Sequence, residues 1–205
     1  NKYKKNKTGW DLGQVSPPLK AYFDQLENKD LKILIPGGGN SYEAEYLFNK
    51  GFKNVYVIDV SMYPLKNLKS RIPNFPDLQL LHGNFFELNE TFDLIIEQTF
   101  FCALKPVLRL EYARKMNSLL KNKGKLVGLL FDVKLNEDHP PFGGNSEEYL
   151  TYFQPYFTIK NMDKCYNSYP NRQGMELFIS LLKSTPKNCI HSALPKGVSS
   201  NQSPL

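Results

Sequence analysis

The feature that most constrains the fold is a glycine triplet, Gly37–Gly39, placed between two short apolar runs. The first run, 33–35, leads into the triplet, a helix-like segment follows, and the second run, 55–58, ends at Asp59. Glycine lets a backbone approach a ligand closely because it has no Cβ. Folds that hold a ribose with a carboxylate place that carboxylate roughly 20 residues after the glycine turn. We therefore expect a site for an adenosine-containing cofactor.

The rest of the chain continues the alternation of apolar runs and helical patterns and then changes character. Strands that alternate with helices predict a mostly parallel sheet with helices on both faces, and unbroken apolar runs suit strands buried on both sides. Beyond a loop at 138–144, a short helix with Ser146 as N-cap precedes an expected antiparallel strand pair. The predicted strands are 32–35, 54–59, 78–82, 92–97, 125–131, 158–165 and 176–182, and the predicted helices are 42–49, 64–71, 107–121 and 146–153.

Size and composition predict one globular domain. The chain has 205 residues, of which 41% are hydrophobic and 22% charged. We place the domain at 1–183 and a disordered tail at 184–205. No apolar run approaches the ~20 residues of a membrane helix, and no apolar stretch follows the Lys-rich start, so we expect a cytoplasmic protein without a signal peptide.

The distribution of charge indicates which class of binding partner to expect, and the cysteines indicate the redox compartment. Four of the six excess positive charges lie in 1–7 and two in 184–205, so the body is neutral. This distribution argues against a nucleic-acid partner; we expect a small-molecule partner and a monomer. Cys102, Cys165 and Cys189 are scattered, which indicates a reducing compartment, and we interpret Cys102 as a small buried side chain.

The glycine turn is compatible in principle with three types of adenosine-containing cofactor. A phosphate-loop site needs Gly-x4-Gly-Lys-Ser/Thr, which is absent. A dinucleotide turn has a third glycine, where this chain has Tyr42. S-adenosyl-L-methionine carries no phosphate and is favoured. We expect no metal, since His82, His139 and His191 lack ligand spacing.

An ordered set of motifs supports a more specific interpretation. It comprises Trp10-Asp11-x-Gly13-x3-Pro17, Ile35-Pro36-Gly37-x-Gly39, Gly83-Asn84-Phe85-Phe86-Glu87-Leu88, Phe92-Asp93-Leu94-Ile95, Thr99-Phe100-Phe101-Cys102-Ala103-Leu104, Arg114-Lys115-Met116 with Leu120, and Pro140-Pro141-Phe142 with Glu147-Glu148-Tyr149. Through these motifs, residues 3–183 resemble the thiopurine S-methyltransferase family, in particular its thiol, thiocyanate and halide methyltransferase branch. The resemblance implies a Rossmann-like class I methyltransferase fold with a seven-stranded sheet. It also implies methyl transfer from S-adenosyl-L-methionine to a thiol, bisulfide, thiocyanate, halide or thiopurine-like sulfur.

The resemblance further implies which residues surround the cofactor. The glycine turn packs against its methionine part, Asp59 binds the ribose hydroxyls, and residues after the third strand border the adenine. The end of the fourth strand passes beneath the sulfonium. Residues 1–30 form an arm that closes over the site, and Trp10 in this arm covers the cofactor and the acceptor. The implied cofactor residues are Trp10, Gly37, Gly38, Gly39, Asp59, Asn84, Phe85, Glu97, Gln98 and Thr99.

The expected chemistry is an in-line displacement by a nucleophile that is already an anion. Such a step needs alignment and exclusion of water rather than a strong base, so we predict no strictly required catalytic residue. Phe100 and Phe101 are adjacent, so one of them at most faces the pocket. His139 is a candidate base for a neutral thiol, and Arg172 a candidate partner for an anionic acceptor. The predicted aromatic pocket comprises Trp10, Phe100, Phe101, Phe142 and Tyr149.

Alternatives remain open. A small-molecule O- or N-methyltransferase needs a base or metal that the sequence does not show, and a non-catalytic cofactor-binding relic is supported by the lack of a further Trp in 1–9, where the branch usually has one. A nucleic-acid amino-methyltransferase carries Asp/Asn-Pro-Pro-Tyr/Phe after the fourth strand, where this chain has Glu97-Gln98-Thr99-Phe100. Relatives commonly carry an aromatic or basic residue in place of Gln98, a difference that concerns the acceptor.

Overall fold

The computed structural model describes residues 11–184, which build a seven-stranded sheet. In chain order the strands are β1 (Lys32–Pro36), β2 (Asn54–Asp59), β3 (Leu80–His82), β4 (Phe92–Gln98), β5 (Leu120–Phe131), β6 (Phe157–Lys164) and β7 (Glu176–Lys183). Their spatial order is β3-β2-β1-β4-β5-β7-β6. The first five run parallel, and β7 is antiparallel to both β5 and β6. The predicted fold class is therefore confirmed. Trp10 and the predicted tail, apart from Ser184, lie outside the described residues.

Helices connect the strands and cover the sheet. They are α1 (Pro17–Asp24), α2 (Tyr42–Asn49), α3 (Met62–Arg71), α4 (Arg109–Ser118) and α5 (Ser146–Phe153). Helix α2 ends as its sequence suggests, with Gly51 just beyond the last turn at a φ of 86°, the left-handed region that glycine adopts readily. Within residues 11–184, none of these helices has the length and apolarity needed to cross a membrane.

Several predicted boundaries are wrong. Helix α3 begins at Met62 rather than at 64, because Ser61 caps it, and β3 begins at Leu80 rather than at 78, because Asp77–Gln79 form a 3-10 helix. Helix α4 ends at Ser118 rather than at 121, because the chain enters β5 already at Leu120, which pairs with Phe92 of β4. Residues 122–124, expected to close the helix, instead form an irregularity inside β5, where the register with β4 shifts. The N-cap of α5 is Asn145 and not Ser146, because the Asn145 Oδ1 accepts the Glu148 N–H at 2.9 Å.

The core lies on both faces of the sheet because successive side chains of a strand point in opposite directions. In β1, Leu34 packs on the side covered by α4 and α5. Its neighbours Ile33 and Ile35 pack on the side covered by α1, α2 and α3. The sheet is thus the middle layer of three, and the carboxyl ends of its parallel strands meet at a single edge.

Candidate cofactor and acceptor site

A cavity of about 960 Å³ opens at the carboxyl ends of the parallel strands. The sheet order reverses between β1 and β4, and open α/β sheets bind ligands in the crevice at such a switch point. One wall consists of residues that follow β1, β2 and β3, and arm residues Asp11, Leu12 and Gln14 border it. A second wall, which meets the first where Phe100 contacts Gly37 and Phe85, is formed by residues 98–100, 102–104, 131, 135, 140–141, 169, 171–172 and 175.

The glycine turn is constrained by the protein's own packing. Gly37 and Gly39 have φ angles of 57° and 52°, a region that L residues with a side chain seldom adopt. A Cβ on Gly37 would lie 2.2 Å from the Phe100 ring, and one on Gly38 would lie 2.8 Å from Val57. The turn can therefore hold only glycine at these positions without displacing its neighbours, and it leaves bare backbone on the cavity wall.

Asp59 stands at the end of β2 beside this turn. Its Oδ2 accepts the Gly39 N–H at 3.3 Å and its Oδ1 accepts the Ser61 N–H at 2.7 Å. Burial raises the pKa of the Asp59 carboxyl, while the hydrogen bonds from Ser61 and Gly39 oppose that rise. The carboxylate lines the cavity, so its remaining acceptor capacity is available to hydroxyl groups of a ligand.

Aromatic side chains from the turns after β3 and β4 meet at the cavity wall. Phe85 and Phe100 both line the cavity, with ring centroids 5.2 Å apart and planes at 79°. Asn84 also lines it, and its Oδ1 accepts the Phe86 N–H at 3.1 Å, which fixes the short turn that presents Phe85. The structure thus brings Asn84, Phe85 and Phe100 together with the glycine turn and Asp59.

Three of the predicted pocket aromatics lie behind this wall. Phe101, Phe142 and Tyr149 are buried, with 1%, 5% and 1% of their surfaces exposed, and none of them lines the cavity. Phe101 packs edge-on against Tyr149 at 5.4 Å, and the Tyr149 hydroxyl donates to the Phe131 carbonyl at 2.6 Å. They support the segments 99–103 and 131–142 from inside the core.

Side chains at the end of β4 point in different directions, some into the core and some toward the cavity. Gln98 and Thr99 line the cavity, whereas Glu97 is fully buried and does not. Burial raises the pKa of Glu97 to about 7. Within the described residues the buried Gln98 Oε1 has no hydrogen-bond partner.

The polar residues Arg172, His139 and Cys102 differ in whether they line the cavity. Arg172 lines the cavity and is 7% exposed, with its Nη1 3.3 Å from the Glu176 Oε1. His139 is exposed and does not line the cavity, although the adjacent Pro140 does. Cys102 lines the cavity, but burial raises the pKa of its thiol to about 12, so the thiol stays protonated. Within residues 11–184 no cluster of His, Cys, Asp or Glu could hold a metal.

Sequence reasoning missed the residues that attach the arm. Glu43 lines the cavity, is 5% exposed, and its Oε1 accepts the Ser16 N–H at 3.0 Å. The Asn40 side chain donates to Asp11 and accepts from Asn67 at 3.0 Å. An acid in the first turn of α2, directly after the glycine turn, was the available signal for this attachment.

Solved structures with the same architecture are S-adenosylmethionine-dependent methyltransferases. The Burkholderia thailandensis 1,6-didemethyltoxoflavin-N1-methyltransferase superimposes with a TM-score of 0.72 at 15% identity, covering 90% of this chain and 84% of that one. A TehB-like methyltransferase from Corynebacterium glutamicum gives 0.65 at 18% identity, covering 81% and 88%. At these identities the similarity concerns the fold.

The family follows from the sequence comparison. Residues 1–179 match the thiopurine S-methyltransferase family model, and the chain belongs to that family. It is 31% identical to the probable thiol methyltransferase 2 of Arabidopsis thaliana, covering 69% of this chain but just under two thirds, 65%, of that protein. It is 26% identical to thiocyanate methyltransferase 1 of Brassica oleracea, covering 82% and 77%, and 28% identical to thiopurine S-methyltransferase of Vibrio cholerae, covering 75% and 78%. The predicted family is confirmed.

Proposed function

We propose that this chain transfers the methyl group of S-adenosyl-L-methionine to a small soft nucleophile by in-line displacement, releasing S-adenosylhomocysteine. The acceptor is a thiol, bisulfide, thiocyanate, halide or thiopurine-like sulfur. The observation that carries the proposal is the wall formed by the glycine turn, Asp59 and Phe85, next to a second wall that contains no Asp, Glu or His among its described residues. Family membership supports the same reaction class.

The first wall fits this cofactor. Asp59 offers carboxylate oxygens to the ribose hydroxyls, and the bare backbone of Gly37–Gly39 admits the methionine portion. Phe85, with Asn84 beside it, offers an aromatic surface to the adenine. The volume of about 960 Å³ lies near the upper end of the ~300–1,000 Å³ that small-molecule sites span, which favours a site for both the cofactor and a small acceptor. When bound, the cofactor supplies an electrophilic methyl group on a positively charged sulfur.

The chain's own residues align the reactants and exclude water. Four acidic groups among the described residues line the cavity, and each has another assignment. Cys102 keeps its proton, Glu43 accepts the Ser16 N–H of the arm, Asp11 accepts hydrogen bonds from Gly13 and Asn40, and Asp59 is assigned to the ribose. An acceptor that arrives as an anion needs no base. Alignment can contribute up to ~7–11 kcal/mol in well-oriented systems, and an aromatic face such as Phe100 favours a nearby cation by ~0.5–2 kcal/mol.

We assign the acceptor to the second wall. Arg172, Tyr169 and Asn171 offer polar groups there, and Pro140 and Pro141 add apolar surface. The positive charge of Arg172 favours an anionic acceptor, although Glu176 shares that charge. Trp10, which precedes the described residues, is proposed to close over this end, and Phe101, Phe142 and Tyr149 are proposed to shape it from behind.

The remaining features follow from charge and composition. We propose a small-molecule acceptor rather than nucleic acid, because residues 8–183 carry no net charge. We also propose one domain at 1–183, a monomeric state and a cytoplasmic location.

A headspace assay tests the proposal. Labelled S-adenosyl-L-methionine is incubated with the full chain and, in parallel, with bisulfide, thiocyanate, iodide, a small alkyl thiol and an aromatic thiol. Volatile or extractable methylated product from a sulfur or halide acceptor is expected, and an Asp59→Asn variant provides the matched low-affinity control. Cofactor binding without turnover on any of these acceptors would refute the proposed reaction, and failure to bind S-adenosylhomocysteine would refute the cofactor.

A further inference from the structure

We propose that Glu97 is a positioning residue of the cofactor site, which acts by holding the turn that carries Phe100 under the glycine turn. The inference rests on the proposed function, because it assigns the cofactor to that wall. Resemblance implied a place for Glu97 beneath the sulfonium, but the structure points its carboxylate into the core instead. The role is therefore exerted through neighbouring residues.

The position of Glu97 separates it from any ligand. Its surface is 0% exposed, and it does not line the cavity that the next three residues line. On the adjacent strand its partner is Gly128, where an added Cβ would lie 2.4 Å from the Glu97 Cβ. The sheet thus leaves space for this one acid by keeping a glycine opposite it.

Within the described residues, the Glu97 carboxylate accepts hydrogen bonds from two backbone N–H groups of the turn that follows β4 and from one tyrosine hydroxyl. Its Oε1 accepts the N–H groups of Phe100 at 2.8 Å and Phe101 at 2.9 Å. Its Oε2 accepts the Tyr112 hydroxyl. In the part of the chain that the structure describes, no ion pair involves Glu97. Burying a carboxyl group costs desolvation free energy. The benefit of burying this one is that a single oxygen, Oε1, accepts both backbone N–H groups of the turn.

The turn needs this support because its backbone is strained. Thr99 has a φ of 58°, which is unfavourable for a β-branched residue. Beyond it, the Cys102 Sγ donates to the Thr99 carbonyl at 3.3 Å and the Phe142 N–H donates to the Cys102 carbonyl at 2.7 Å. Glu97 fixes the near side of the turn, and these two bonds fix its far side.

Phe100 transmits the position of the turn to the cofactor wall. Its ring lies 2.2 Å from the position that a Cβ on Gly37 would take, and its centroid is 5.2 Å from that of the Phe85 ring. A shift of the turn therefore moves the ring that supports the glycine turn and contacts the predicted adenine-binding residue. Releasing the two amides is expected to weaken cofactor affinity more than it affects the fold.

Two substitutions separate acceptor geometry from charge. Glu97→Asp keeps the charge but is one methylene too short to reach both amides and Tyr112, and Glu97→Gln keeps the reach and an acceptor oxygen but loses the charge. Binding of S-adenosylhomocysteine is measured by calorimetry at a temperature where each variant is folded. We expect at least tenfold weaker binding for Glu97→Asp and a change below threefold for Glu97→Gln.

Tyr112→Phe is the matched control, because it removes the third hydrogen bond and leaves both turn amides bonded. It is expected to lower the unfolding midpoint and to change affinity less than threefold. Hydrogen exchange at the amides of Phe100 and Phe101 reports the turn directly. Both amides are expected to be protected in the unaltered protein and in Tyr112→Phe, and to lose protection in Glu97→Asp.

Several results would overturn the proposal. These are unprotected amides in the unaltered protein, a loss of affinity in Glu97→Gln equal to that in Glu97→Asp, or unchanged affinity in a folded Glu97→Asp. The exchange measurement and Glu97→Gln decide the matter even if Glu97→Asp does not fold. If the unaltered protein does not bind S-adenosylhomocysteine, the proposed function fails instead, while exchange still reports whether Glu97 holds the turn.

Discussion

Replacing Gly37 by alanine tests the idea that the glycine turn is shaped by contact with Phe100. Two penalties are expected together. The backbone at Gly37 has a φ of 57°, and an L side chain there costs ~1–2 kcal/mol. The new methyl group would also lie 2.2 Å from Phe100 Cδ2 and 2.6 Å from its Cγ, and overpacking of this kind costs ~1–3 kcal/mol.

The sum predicts a loss of about 3 kcal/mol in the free energy of unfolding. In a domain of this size that loss lowers the melting temperature by about 6–12 °C. Gly51→Ala is the matched control, because Gly51 has a φ of 86° but nothing within 4 Å of an added Cβ. It carries only the backbone penalty, ~1–2 kcal/mol. Urea denaturation followed by circular dichroism measures both variants.

A double-mutant cycle then isolates the contact. In a Phe100→Ala background most of the obstructing ring is gone, so Gly37→Ala should cost only its backbone penalty and a small remainder from the Phe100 Cβ, 3.0 Å away. The expected coupling is ~1–2 kcal/mol. Equal costs for Gly37→Ala and Gly51→Ala, or a Gly37→Ala cost that Phe100→Ala does not reduce, would refute the reasoning.

Three further variants probe the acids and the buried arginine. Asp59→Asn should weaken S-adenosylhomocysteine binding at least tenfold in calorimetry, and it should also lower the melting temperature, since the amide can accept only one of the two backbone N–H groups that Asp59 bonds. Equal affinity would contradict the ribose assignment. Burial raises the pKa of Glu97 from 4.5 to about 7, so its contribution to stability is complete below pH 4.5 and is lost as the pH rises through 7. Glu97→Gln does not titrate and should gain about 3 kcal/mol relative to the unaltered protein across that window in urea denaturation, whereas a pH-independent difference would contradict the shift. Arg109 is 2% exposed and bonds Glu148 and the Gly143 carbonyl, each at 2.7 Å; Arg109→Met should lower the free energy of unfolding by about 2–3 kcal/mol, and a loss below 0.5 kcal/mol would show that water replaces these bonds.

The fold and the first wall of the site were predictable because they depend on local pattern. The segment from Lys32 to Asp59 encodes a strand, a turn, a helix and a strand, and parallel strands place Gly37 and Asp59 at one edge. The start of β5 was not predictable, because residues 119–121 suit a helix and only pairing with Phe92 of β4 draws Leu120 into the sheet.

Side-chain direction at the second wall was also beyond the sequence. Whether Phe100 or Phe101 faces the cavity depends on the left-handed backbone at Thr99, which no periodicity reveals. Glu97 and Gln98, the last two residues of β4, point in opposite directions as neighbours in a strand do, so that Glu97 lies in the core and Gln98 on the wall. Trp10, for which resemblance implies a closing role, lies outside the described residues and keeps that role as a prediction.

The two walls of the cavity come from separate stretches of the chain. The wall assigned to the cofactor uses the turns after β1, β2 and β3, all before residue 90, whereas most of the wall assigned to the acceptor uses loops between residues 98 and 175. Mutations in the later loops, apart from the turn that carries Phe100, can therefore alter acceptor preference while the earlier turns stay intact. A single ancestral scaffold could diversify its substrates in this way and inherit its methyl donor unchanged.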